Sequence, residues 1–82
     1  LLSTNETTLD TLKPGDKAKI LKVRVKGSSI RRKLFDMGIV AGSEIQLIRR
    51  APLGDPLEFK IKGYNLSIRK MEARDIFVQV LE

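Results

Sequence analysis

Apolar and polar residues alternate along much of the chain, most cleanly where Leu57, Phe59 and Ile61 interleave with Glu58, Lys60 and Lys62. A period of two puts one set on a core and the other in water, so this segment predicts a half-buried strand. Ile45 and Leu47 share a face in a strand over Glu44–Arg50. Leu66 and Ile68 point inward on a return strand, reached through a hairpin turn at Gly63-Tyr64-Asn65. Ile76, Val78 and Val80 form a last inward set, with Phe77, Gln79 and Leu81 on the other side. The segment Lys17–Lys26 reads as a strand whose parity changes: Ala18 and Ile20 share one phase, Val23 and Val25 the other. The change at Ile20-Leu21 predicts a β-bulge or a sharp bend.

One segment follows a helical period. Ile30, Leu34 and Met37 fall at i, i+4 and i+7, after Gly27-Ser28-Ser29 and before Gly38. Ser28 or Ser29 is the expected N-cap and Gly38 the expected C-terminal stop. Arg31, Arg32 and Lys33 point away from the apolar face. A helix of about nine residues is marginal alone in water, so it must pack on the sheet. Leu9 and Leu12 dock one short turn on the core, and Pro14-Gly15-Asp16 is a turn. Ile39–Ser43 is a connector with a Gly42 turn, and Met71–Asp75 is a short helical or 3₁₀ turn. Ala51–Pro56 is a loop stiffened by Pro52 and Pro56, each with fixed φ and no N–H. The sum is a mainly β domain of about five strands and one short helix, a small closed or partly open barrel. Residues 1–8 are mostly polar and read as a flexible N-terminal tail, leaving 9–82 as the domain.

Composition narrows the chemistry. The 82 residues contain no cysteine and no histidine. Thiolate and imidazole metal sites are therefore excluded, and no cofactor is expected. The absence of cysteine fits a reducing compartment. The acids are scattered singly, apart from Glu72 and Asp75, which a solvated turn explains. There is no nucleophile elbow, phosphate loop or paired-acid arrangement, so an enzyme is not expected. No apolar stretch approaches the ~20 residues needed to span a bilayer. A net charge of +6 favours anionic partners, or serves solubility alone.

Leu9, Leu12 and Gly15; Arg32–Gly38 (RKLFDMG); Gly42; Ala51–Pro56 (APLGDP); Gly63; Ile68-Arg69-Lys70; Glu72-Ala73; and Ile76–Val80 (IFVQV) follow one another in a set order. In that order they resemble the FeoA family. The resemblance implies an SH3-like β-barrel and a small cytoplasmic accessory or regulatory protein of ferrous iron uptake. The implied partner is FeoB, a membrane ferrous-iron transporter with a cytosolic G-protein domain. A related domain ends some DtxR-type metal-dependent repressors; the lack of upstream DNA-binding helices in this chain favours a free-standing protein. A nucleic-acid-binding small barrel is the alternative from another class. It is disfavoured because the aromatic supply is only Phe35, Phe59, Tyr64 and Phe77, with Phe59 assigned to the core.

Three partner-binding surfaces are expected. The first is the loop, with Leu53 at its tip beside Gly54 and Asp55, and with Arg69 bridging to Asp55 or offering a bidentate contact to a partner. The second is the basic helix face, Arg31 and Arg32 with Lys33. The third is an apolar patch of Phe77 and Leu81. Of Arg49 and Arg50, one must point outward and the other toward the barrel interior or rim.

Overall fold

The computed structural model describes residues 5–82. Six strands form one antiparallel sheet: β1 (Glu6–Thr8), β2 (Lys17–Val23), β3 (Glu44–Arg50), β4 (Leu57–Ile61), β5 (Tyr64–Ile68) and β6 (Ile76–Leu81). Their order is β1-β6-β2-β3-β4-β5. Helix α1 (Ser28–Asp36) crosses from β2 to β3, a four-residue α2 (Lys70–Ala73) links β5 to β6, and a 3₁₀ turn (Leu9–Thr11) follows β1. The fold is mainly β, as expected.

β1 is the strand that the sequence pattern does not reveal. The tail expected over residues 1–8 is corrected here: Glu6, Thr7 and Thr8 pair with Gln79, Val78 and Phe77 of β6. Backbone hydrogen bonds carry this pairing, so a polar segment is sufficient. Residues 1–4 of that expectation lie outside the described residues.

Two irregularities bend the sheet. The register between β2 and β6 shifts between Ile20 and Lys22, which puts the bulge at Leu21, where the parity change falls. A second shift, between Leu47 and Arg49, bends β3 against β4. The curl brings the two ends of the sheet together, because α2, which follows β5, packs on the 3₁₀ turn that follows β1. The inward faces of all the longer strands meet in one core, with Leu9, Ile20, Leu47, Phe59, Ile68 and Val78 fully or almost fully buried. No charged or polar residue is buried among the described residues.

Arg50 ties β3 to this closure. Its guanidinium donates hydrogen bonds to the carbonyls of Asp10 (2.7 Å) and Leu12 (2.8 Å), and so fixes the 3₁₀ turn on which α2 rests. Arg49, its neighbour, points outward to Glu58, so the two arginines split as their adjacency on a strand requires. Arg50→Ala is expected to destabilise the domain by about 1.5–3 kcal/mol, the range for part-buried bonds from a charged donor. Arg49→Ala is expected to do much less. Urea unfolding of the two variants decides this, and equal shifts of the midpoint would count against the closing role of Arg50.

Three local readings change. Gly27, at φ 99°, is the N-cap of α1 and no side chain caps it, so neither Ser28 nor Ser29 fills that role. Ser28 is already the first helical residue. Of the predicted apolar face, only Leu34 is buried; Met37 is partly covered, and Ile30 is 38% exposed. The hairpin turn is Lys62-Gly63 rather than Gly63-Tyr64-Asn65, because Tyr64 already pairs with Ile61. Both turn residues have positive φ (49° and 86°), as a two-residue hairpin requires.

Candidate functional site

The residues expected to bind a partner fall on three separate surfaces. The loop between β3 and β4 is closed by Ala51 N–H donating to the Pro56 carbonyl (3.0 Å) and Gly54 N–H donating to the Ala51 carbonyl (2.7 Å). Gly54 sits at φ 89°, which suits glycine, and the turn leaves Leu53 97% exposed at the tip. Asp55 does two things. Its Oδ1 accepts a hydrogen bond from Lys70 N–H (2.9 Å), capping the first turn of α2, and its Oδ2 lies 3.9 Å from Arg69 Nη1. The expected pairing of Arg69 with Asp55 is thus present, while the capping bond is an addition. Both partners of the ion pair are largely exposed, which leaves little free energy in it.

These roles make separable predictions. Asp55→Ala is expected to lose about 1 kcal/mol through the helix cap. Arg69→Ala is expected to lose less than about 0.5 kcal/mol through an exposed pair. Thermal unfolding distinguishes them, because about 1 kcal/mol moves the midpoint of a domain this size by roughly 4–8 °C. An Arg69→Ala loss as large as that of Asp55→Ala would mean that the ion pair, and not the cap, braces the loop.

The second surface is α1. Arg31, Arg32 and Lys33 are exposed, as expected. Beside them lies a concave groove of about 540 Å³, lined by Val23, Ser28, Arg31, Arg32, Phe35, Asp36, Ile39, Val40 and Ala41. Phe35 forms one wall and is 66% exposed. The far wall is set by the helix end. Gly38 N–H donates to the Phe35 carbonyl and Ile39 N–H to the Leu34 carbonyl, both at 2.9 Å, which is a Schellman motif with the buried Leu34–Ile39 pair beneath it. Tyr64 Oη donates to the Met37 carbonyl and holds the β4–β5 hairpin against the same helix end.

The third surface holds Phe77, which is 40% exposed and shares a concavity of about 450 Å³ with Glu6, Leu21, Lys22 and Arg24. Leu81 lies four residues along β6, about 13 Å away at ~3.3 Å per residue, and is half-buried. Phe77 and Leu81 therefore do not make one continuous apolar patch, which corrects that expectation. The groove at α1 is the feature that sequence reasoning missed. Phe35 lies one position off the Leu34 face, which is the one trace of it in the sequence.

Among the described residues only two ion pairs form, Arg49–Glu58 at 3.0 Å and Arg69–Asp55. Glu58 raises the Arg49 guanidinium pKa above its ordinary value, first through their hydrogen bond and then through its charge. Arg49, Arg50 and Arg69 thus have intramolecular partners, whereas Arg31, Arg32 and Lys33 on α1, and Lys22 and Arg24 beside Phe77, form no ion pair among the described residues. No group of three or more His, Cys, Asp or Glu side chains able to hold a metal ion occurs among the described residues. No helix there is long and apolar enough to cross a membrane.

A closed-up six-stranded antiparallel sheet with exposed grooves and a basic helix defines a small SH3-like barrel. Its crystallised counterpart from Stenotrophomonas maltophilia, a FeoA complexed with zinc, is called a unique prokaryotic SH3 domain protein and is proposed to act as a bacterial ferrous iron transport activating factor. That structure is 26% identical, with a TM-score of 0.77 over 89% of each chain. A FeoA-like protein from Clostridium acetobutylicum is 44% identical, with a TM-score of 0.83 over 98% of this chain and 92% of that one. The FeoA domain family matches residues 7–80, and the chain belongs to that family. A curated relative in Porphyromonas gingivalis, the Fe(2+) transport protein A/Fe(2+) transporter FeoB fusion protein, is 37% identical over 73 residues. The match spans 89% of this chain but 8% of that protein's length.

Proposed function

We propose that the domain is a non-catalytic accessory protein of ferrous iron uptake, acting in the cytoplasm by direct contact with a FeoB-type transporter. The observation that carries this reading is the fusion in the Porphyromonas relative, where a FeoA and a FeoB share one chain. Short covalent tethers hold two modules at effective concentrations of about 1 mM. A fused pair therefore needs only modest intrinsic affinity, and the same contact between separate chains is expected to be weak to moderate. The absence of histidine and cysteine supports a role without catalysis. Full burial of Phe59 also supports a protein partner over single-stranded nucleic acid, since it removes one of four aromatic residues from stacking.

Isothermal titration of the domain into the soluble cytosolic region of its FeoB tests the proposal. A Kd tighter than about 1 mM, the tethered concentration, is expected. Weaker binding, with or without a GTP analogue, would remove direct contact with that region as the mode of action.

A further inference from the structure

We infer that the groove beside α1 docks an acidic peptide segment carrying an apolar side chain. Apolar and cationic lining converge there. The groove combines aliphatic lining from Val23, Ile39 and Val40 with one exposed aromatic wall, Phe35. At about 540 Å³ it falls within the usual range of roughly 300–1,000 Å³ for a binding cleft. Arg31 and Arg32 line the groove and form no ion pair among the described residues, so both guanidiniums are open to a carboxylate. A carboxylate arriving at the groove can pair with a guanidinium fork there.

The same features choose among anions. A base needs a flat face to stack on, and the groove supplies one aromatic ring beside branched aliphatic walls. Asp36 also lines the groove and would oppose a phosphate backbone running along it. An acidic segment with a leucine or phenylalanine meets both chemistries: its apolar side chain enters beside Phe35, and its carboxylates face Arg31 and Arg32. The apolar contact anchors the segment and the rim charges speed and orient its arrival. The natural donor of such a segment, a cytosolic stretch of the transporter, rests on the function proposed above. The chemistry of the groove does not.

The test uses two arms. In the first, the ¹⁵N-labelled domain is titrated with a synthetic peptide of Asp and Glu residues around a central Leu, and with the same peptide carrying Ser in its place. Saturable shifts at Arg31, Arg32, Phe35 and Ile39–Ala41 are expected. Binding should weaken about tenfold for the Ser peptide and for Phe35→Ser, as for loss of a buried anchor. Arg31→Glu/Arg32→Glu should abolish saturation, with the folded spectrum retained because both positions are exposed. No saturable shift, shifts confined to other residues, or tighter binding of oligothymidine at the same residues would overturn the inference. In the second arm the cytosolic region of FeoB replaces the peptide. Loss of its binding in the double variant supports the inference. Wild-type binding undiminished in that variant and in Phe35→Ser overturns this groove as the docking site, leaving the transporter reading intact. Peptide binding without any FeoB binding has the opposite meaning: the groove stands and the transporter contact falls.

Discussion

Phe59→Ala is expected to remove about 3–5 kcal/mol of stability, the cost of truncating a fully buried aromatic side chain. Phe59 has no exposed surface and lies at the middle of β4, paired across the sheet with Leu47 of β3 and Leu66 of β5. A domain of 82 residues holds about 4–12 kcal/mol in all, at roughly 0.05–0.15 kcal/mol per residue. The loss is therefore on the order of half the total. Phe35→Ala provides the internal control, because Phe35 is 66% exposed and lies outside the core. Its expected effect is below about 0.5 kcal/mol. Urea unfolding followed by circular dichroism compares the two, and similar midpoints would mean that the core is not organised around β4.

The second large effect is expected at Gly38. Gly38→Val should cost about 1–3 kcal/mol, the range for a non-glycine residue held in a left-handed backbone conformation. Gly38 sits at φ 92°, where a β-branched residue is strongly disfavoured. A Cβ there would meet Tyr64 Oη at 3.6 Å and Ile61 Cδ1 at 3.8 Å, ordinary contact distances, so the branch point itself fits. Gly42, at φ 94°, has open space where a Cβ would project, with nothing within 4 Å, and so isolates the backbone part of the cost. The two valine variants should thus lose comparable stability. They should differ in where the structure responds, since only Gly38 joins Phe35 and Asp36 to Ile39, Val40 and Ala41. Gly38→Val is expected to shift the amide signals of those residues. A stability within about 0.5 kcal/mol of wild type would show that the helix end tolerates another cap.

Much of the barrel is legible because a period of two leaves few choices. The β3 and β4 boundaries coincide with the alternating runs, and the bulge at Leu21 coincides with the point where alternation changes phase. What escapes the sequence is what depends on neighbours. β1 is a strand only because β6 offers it a free edge. Ser28 has capping chemistry, yet glycine at φ 99° precedes it and the helix starts one residue early. Ile30 and Leu34 share a helical face, but the core covers only the latter. The site follows the same rule. Asp55 and Arg69 are correctly paired because the hairpin between them is short, and Arg31 and Arg32 are correctly placed in solvent. Phe35 is invisible as a site residue because exposure is decided by what packs on a helix, which no single-residue pattern states. Phe77 and Leu81 share a strand face but differ in burial, because cover varies along that face.

The proposed contact of this FeoA-family domain with a FeoB-type transporter is tested most directly by nuclear magnetic resonance. The ¹⁵N-labelled domain is titrated with the soluble cytosolic region of FeoB, in the presence and absence of a GTP analogue. Direct contact through the α1 groove should give saturable shifts centred on Arg31, Arg32, Phe35 and Ile39–Ala41. Absence of any shift at about 1 mM partner, the concentration a short tether would impose, would contradict direct contact.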